Sequence, residues 1–132
     1  MIVADTSIWI DFFKGVVSPR IDALVAGLKA RQVAVTDIII VEVLQGFRDD
    51  SEYAVAQKIM DGLIYRPFWG KRNMERAASN YRFLRKKGIT IRKPNDVVIG
   101  TFCIENAYQL LHHDQDFEPM EKFLGLQVVV VN

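Results

Sequence analysis

Short apolar runs separated by longer helical stretches are the feature that most narrows the folds open to this chain. Ile2 to Ala4, Gln32 to Val35, Tyr108 to Leu111 and Gln127 to Val131 each read as a strand. Leu63 to Phe68 is a weaker extended stretch, and its Pro67 suits the edge of a sheet. Between these runs lies helical punctuation. Thr6 or Ser7 can cap a helix through Phe13, and Ser18-Pro19 followed by Asp22 combines a cap, a first-turn proline and an early acid. Asp37 can cap Ile38 to Gln45 ahead of Gly46, and Ser51 opens a helix to Asp61. Lys71 to Lys87 carries Met74, Ala77, Ala78, Tyr81 and Leu84 at helical spacing and stops at Gly88. Asn95 can cap Asp96 to Asn106, and a short helix is expected over Pro119 to Phe123. Strands joined through helices run parallel, because parallel neighbours need long crossovers. The expectation is an α/β fold, a single domain over residues 1–132, with helices on both faces of a mainly parallel sheet.

Composition agrees with that reading and removes other classes. Hydrophobic residues make up 50% and charged residues 25%, the balance of a globular chain rather than a disordered or fibrous one. Asp5 interrupts the apolar start, so no signal peptide is expected, and no uncharged apolar run approaches the roughly 20 residues of a membrane span. A cytoplasmic setting is expected. The lone Cys103 sits in the apolar stretch Val97 to Ile104 and reads as a buried core thiol rather than a nucleophile. The net charge of +1 conceals an asymmetry: ten of the seventeen basic residues lie between Arg66 and Lys93, against the single acid Glu75. One molecule therefore carries an anion-attracting segment and a separate acidic supply.

The acids fall at chemically suggestive places. Asp5 ends the first strand, Glu42 interrupts an apolar helix, Asp96 opens another helix, and Asp114 with Asp116 follows the fourth strand. In parallel sheets ligands gather beyond the carboxyl ends of the strands, where Asp5 and the Asp114/Asp116 pair fall. An ionised Glu42 in an apolar stripe is costly unless a cation or strong hydrogen bonds compensate it. Acids brought together repel one another and raise their own pKa values, and a divalent cation reverses that penalty. Oxygen-only ligands favour Mg²⁺ or Mn²⁺ over zinc, and such an ion suits phosphodiester hydrolysis. Each acid also has an ordinary reading. Asp5 can be a helix cap, Asp96 a partner of a helix dipole and Asp116 a loop cap; their joint placement is the argument.

Ala4-Asp5-Thr6-Ser7, Thr36 to Gly46 (TDIIIVEVLQG), Pro94 to Gly100 (PNDVVIG) and Leu110 to Phe117 (LLHHDQDF) together resemble a PIN-domain protein, specifically a VapC-type toxin of a toxin–antitoxin pair. The resemblance spans nearly the whole chain. It implies a three-layer α/β/α sandwich, endoribonuclease activity dependent on Mg²⁺ or Mn²⁺, a homodimer, and inhibition by a VapB-type antitoxin. It makes Asp5, Glu42, Asp96 and Asp114 the catalytic and metal-binding quartet, with Asp116 as an additional ligand. Thr6 or Ser7 then supplies a hydroxyl that supports the first aspartate or a metal-bound water. Family members commonly carry threonine and a basic or polar residue where this chain has His112-His113, which leaves both histidines without an assigned part. His113 can contact phosphate or shuttle a proton, although a loop histidine without catalytic duty is the simpler reading.

The basic segment offers a track for an RNA backbone, with Arg72, Arg76, Arg82, Arg85, Lys86, Arg92 and Lys93 as candidate phosphate contacts. Its ordinary reading is a solvated helix face. Trp9, Phe12, Phe13 and Phe47 can line a groove for a partner helix, but core packing is preferred for Trp9 and Phe13. A receiver-like phospho-acceptor domain also places an aspartate after a parallel strand, yet it expects a lysine near the acids and has no part for Glu42. A catalytically silent PIN-like RNA-binding module is disfavoured because all four acidic positions are kept. DNA remains an alternative substrate to RNA, and the acids suit one ion or two.

Overall fold

The computed structural model describes residues 1–131. Its chain order is β1 (Ile2–Ala4), α1 (Thr6–Phe13), α2 (Pro19–Lys29), β2 (Val33–Val35), α3 (Asp37–Leu44), α4 (Asp50–Asp61), β3 (Ile64–Tyr65), α5 (Lys71–Lys86), α6 (Pro94–Asn106), β4 (Gln109–Leu111), α7 (Glu118–Leu124) and β5 (Gln127–Val128). A 3-10 turn, Gln115–Phe117, joins β4 to α7.

All five strands are parallel, in the order β3-β2-β1-β4-β5. Every residue of β2 is buried, and since successive side chains point to opposite faces, both faces of the sheet are covered. This is a three-layer α/β/α sandwich. The chain leaves β1 on one side to build β2 and β3, then returns to the other side to build β4 and β5. The reversal opens a crevice at the carboxyl ends of β1 and β4. A 3.0 Å bond from the Asp5 N–H to the Leu111 carbonyl ties those two strand ends together.

Helix assignments hold to within a few residues, but several caps differ. Asp5, not Thr6 or Ser7, occupies the N-cap of α1, and its carboxylate makes no capping bond. Thr36 precedes α3, because the Asp37 carboxylate instead accepts the N–H groups of Phe68 (2.6 Å) and Trp69 (3.1 Å) and the Tyr65 hydroxyl. Asp49 caps α4 by accepting the Glu52 N–H, with Ser51 donating to the same carboxylate. Lys93, not Asn95, precedes α6, since Pro94 starts that helix. Two strands are shorter than expected by more than one residue: β3 pairs over Ile64–Tyr65 alone, at the sheet edge, and β5 ends at Val128.

The core spans both sheet faces, and Trp9, Phe102, Phe117, Leu84 and Met120 are fully buried in it. Gly100 lets the core close around α6, because a Cβ there would strike the Met120 sulfur. That close approach seats α6, whose first turn carries Asp96, against the segment carrying Asp114 and Asp116. Cys103 is free and fully buried, and burial raises its thiol pKa. Among the described residues, no helix is long and apolar enough to cross a membrane.

Candidate metal centre

Four elements deliver acids to the crevice. Asp5 follows β1, Glu42 lies in α3, Asp96 stands in the first turn of α6, and Asp114 and Asp116 flank the start of the 3-10 turn. Asp96, Asp114 and Asp116 each place one carboxylate oxygen within 4.8 Å of the others, the one such acidic group among the described residues. Asp5 and Glu42 lie outside that trio, but the negative charges of both act on Asp96. The acids therefore share one electrostatic neighbourhood, with Asp116 drawn closer to Asp96 and Asp114 than an auxiliary position implies.

Burial and repulsion mark this neighbourhood. Asp5 is 5% exposed and Asp96 6% exposed. Burial raises the pKa of Asp5, opposed by bonds from Ser7 and nearby backbone N–H groups. The Asp96 carboxyl is pushed up to about 7, first by burial and then by the charges of Asp5 and Asp114, with Lys93 pulling the other way. Asp96 Oδ2 is buried and has no hydrogen-bond partner. A buried, unpartnered carboxylate oxygen among other carboxylates is what a hard cation would satisfy. All the available donors are oxygens, which fits Mg²⁺ or Mn²⁺.

Hydroxyl and amide groups aim these acids. Ser7 donates to Asp5 Oδ2 at 2.7 Å, while Thr6 donates to Glu42 Oε1 at 2.7 Å. The two neighbouring hydroxyls thus serve different acids. Asn95 donates to Glu42 Oε2 at 3.3 Å, a partner that its reading as a helix cap did not anticipate. Glu42 itself is not walled in. It shares the inward stripe of α3 with Ile38, Ile39 and Val43, yet it is half-buried because its end of that stripe opens on Thr6 and Asn95. Asp114 Oδ1 accepts the Asp116 N–H at 2.9 Å, which fixes the two loop acids relative to one another.

The surrounding cations and histidines divide by position. Arg92 Nε lies 3.2 Å from Asp116 Oδ2, at the rim. Arg72, Arg76, Arg82, Arg85 and Lys86 are exposed along α5, and Lys93 is exposed just before α6. Arg76 is paired with Glu105 at 2.9 Å, and Arg85 sits over the Tyr81 ring. His113 Nε2 lies 3.4 Å from Asp11 of α1 rather than beside an acid of the cluster. His112, like His113, was left unassigned by the sequence alone. Its Nδ1 accepts the Asp114 N–H at 3.1 Å and its Nε2 faces Glu121 at 3.1 Å.

Beside the site, Ile10, Phe13, Val43, Phe47 and Val55 line an open groove of about 890 Å³, with Lys14, Arg48, Asp49 and Glu52 on its walls. Trp9 is fully buried as expected, whereas Phe13 is half-buried and faces Phe47 edge-on across 5.2 Å.

Two kinds of likeness bear on this geometry. The chain is 28% identical over 130 residues, 96% of each partner, to a VapC ribonuclease of Mycobacterium bovis and to ribonuclease VapC11 of Mycobacterium tuberculosis. No family model matches it. Its fold is similar to that in the crystal structure of VapBC2 from Rickettsia felis bound to a promoter DNA fragment, with TM-score 0.76, 17% identity and all of both chains covered. It is also similar to that in the structure of FitAcB from Neisseria gonorrhoeae, with TM-score 0.73, 16% identity, and 98% of this chain and 97% of that one covered. Full-length likeness in sequence to VapC ribonucleases and a shared fold are the respects in which this chain is similar to these proteins, and its own acids gather where the sheet reverses direction.

Proposed function

We propose that this chain is the toxin of a toxin–antitoxin pair, a cytoplasmic endoribonuclease that hydrolyses RNA phosphodiesters with Mg²⁺ or Mn²⁺. The observation that carries this reading is the Asp96 carboxylate, buried with Oδ2 unpartnered and set between Asp5, Asp114 and Asp116. Asp96, Asp114 and Asp116 would hold the cation, with Asp5 and Glu42 completing its surroundings. When bound, the ion would lower the pKa of a water and neutralise charge building on the phosphorus. The remaining work falls to the protein. Ser7 and Thr6 keep Asp5 and Glu42 in fixed directions. Glu42 Oε2, which carries the longer of that residue's two bonds, would take the proton of the attacking water. Arg72, Arg76, Arg82, Arg85, Lys86, Arg92 and Lys93 would seat the RNA backbone.

The VapBC and FitAcB likenesses also support a VapB-type antitoxin as partner, and the family resemblance implies a homodimer as the working unit. The groove lined by Phe13, Phe47, Val43 and Val55 suits the apolar face of an antitoxin helix. An antitoxin arginine reaching the acids would substitute for the charge of the metal.

The test is cleavage of RNA and of single-stranded DNA by purified protein in Mg²⁺, Mn²⁺ or EDTA, beside Asp96→Asn. Metal-dependent RNA cleavage that is absent in the variant and abolished by saturating antitoxin peptide is expected. Cleavage that survives EDTA, or that persists in Asp96→Asn, rejects the reading.

A further inference from the structure

His112 sits where β4 ends, and four neighbouring groups converge on it. Its Nδ1 accepts the Asp114 N–H at 3.1 Å, so that nitrogen is the unprotonated one. Its Nε2 then carries the proton and donates to Glu121 of α7 at 3.1 Å. Its backbone carbonyl accepts Arg20 Nε from α2 at 2.8 Å, and its ring packs on Phe117 at 4.8 Å between centroids. The side chain is only 10% exposed. Both ring nitrogens are thus occupied within the protein, which leaves no lone pair for an ion and no free proton for a substrate.

We infer that His112 is a positioning residue for the acid that follows it, an inference that rests on the metal-centre reading above. The imidazole does what an Asn or Asp side chain does in an Asx turn, holding the N–H two residues on. The bonds form a series. Glu121 fixes the ring, the ring fixes the Asp114 backbone, and Asp114 Oδ1 fixes the Asp116 N–H. Two of the three clustered carboxylates therefore take their direction from one histidine braced against α7. His113, pointed at Asp11, has no part in this series.

The test measures Mn²⁺ affinity by calorimetry on the full chain, together with steady-state RNA cleavage, for wild type, His112→Ala, His112→Asn and Glu121→Ala. Removing an outer-shell partner of a metal ligand weakens metal binding or activity by about 10- to 100-fold. His112→Ala should fall in that range, with lower kcat at saturating metal and an unchanged KM for RNA. His112→Asn should recover most of the Mn²⁺ affinity, because its Oδ1 can accept the same N–H, even though its bond to Glu121 is lost. Glu121→Ala, remote from the ion, should fall between wild type and His112→Ala. Wild-type affinity in His112→Ala, or equal loss in His112→Ala and His112→Asn, overturns the positioning role and leaves the metal centre intact. Failure of the wild type to bind Mn²⁺ overturns both.

Discussion

The Thr6 hydroxyl donates a 2.7 Å hydrogen bond to Glu42 Oε1, joining the first turn of α1 to α3 across 36 residues of chain. With Ser7 bonded to Asp5, it makes the Asp5-Thr6-Ser7 run a support for two separate acids. Thr6→Val leaves Glu42 held by Asn95 alone. Cleavage should fall about tenfold, with a loss of ~1 kcal/mol in folding stability. Thr6→Ser keeps the donor and should retain most activity. Steady-state kinetics beside urea unfolding checks both.

Asp96 should make the protein respond to pH in a definite direction. Its carboxyl ionises near 3.8 when unperturbed and at about 7 in the fold. Between those values the folded protein keeps a proton that the unfolded chain has lost. The metal-free protein therefore loses stability as pH rises across that window, by up to ~1.4 kcal/mol per pH unit. Mn²⁺ must displace the same proton, so its affinity should rise up to about tenfold per pH unit below 7 and level off above it. Asp96→Asn removes the buried charge. In EDTA at pH 8 it should unfold a few degrees higher than wild type, while binding Mn²⁺ far more weakly. Thermal unfolding and Mn²⁺ calorimetry at several pH values check these signs, and an affinity flat from pH 6 to 8 counts against them.

Packing behind the site sets a further expectation. Gly100 lies against the fully buried Met120, and a Cβ on it would overlap the sulfur. Gly100→Ala should therefore cost about 1–3 kcal/mol, despite the usual preference of a helix interior for alanine. Urea denaturation measures this directly. Unchanged stability would mean that Met120 moves aside freely.

Charge on α5 is expected to act through the substrate rather than the fold. Arg82 and Arg85 are exposed, so Arg82→Glu with Arg85→Glu should leave unfolding nearly unchanged. RNA binding should weaken, and the slope of log affinity against log salt should shrink by about 0.7 for each phosphate that the variant no longer neutralises. Fluorescence titrations at several salt concentrations measure that slope.

Much of the architecture was legible because periodicity and punctuation are local. Ile2 to Ala4, the Pro19 start of α2 and the Gly88 stop of α5 needed no tertiary information, and together they predict a parallel sheet. The caps were less legible for a physical reason. The Asp37 carboxylate is taken by N–H groups about thirty residues away, and Asn95 is drawn toward Glu42, choices that depend on neighbours a local reading does not contain. Glu42 shows the same limit: its apolar flanks predict deep burial, but the helix end opens on polar partners. His112 was left without a part, as was His113, since a bond from its ring to a backbone N–H two residues on leaves no periodic trace.

The central claim is that these acids share one hard cation. A crystal soaked in Mn²⁺ and measured at the manganese absorption edge tests it most directly. An anomalous peak about 2 Å from carboxylate oxygens of Asp96, Asp114 and Asp116 is the predicted result. A fully occupied manganese elsewhere on the protein, with no peak among these residues, would contradict it.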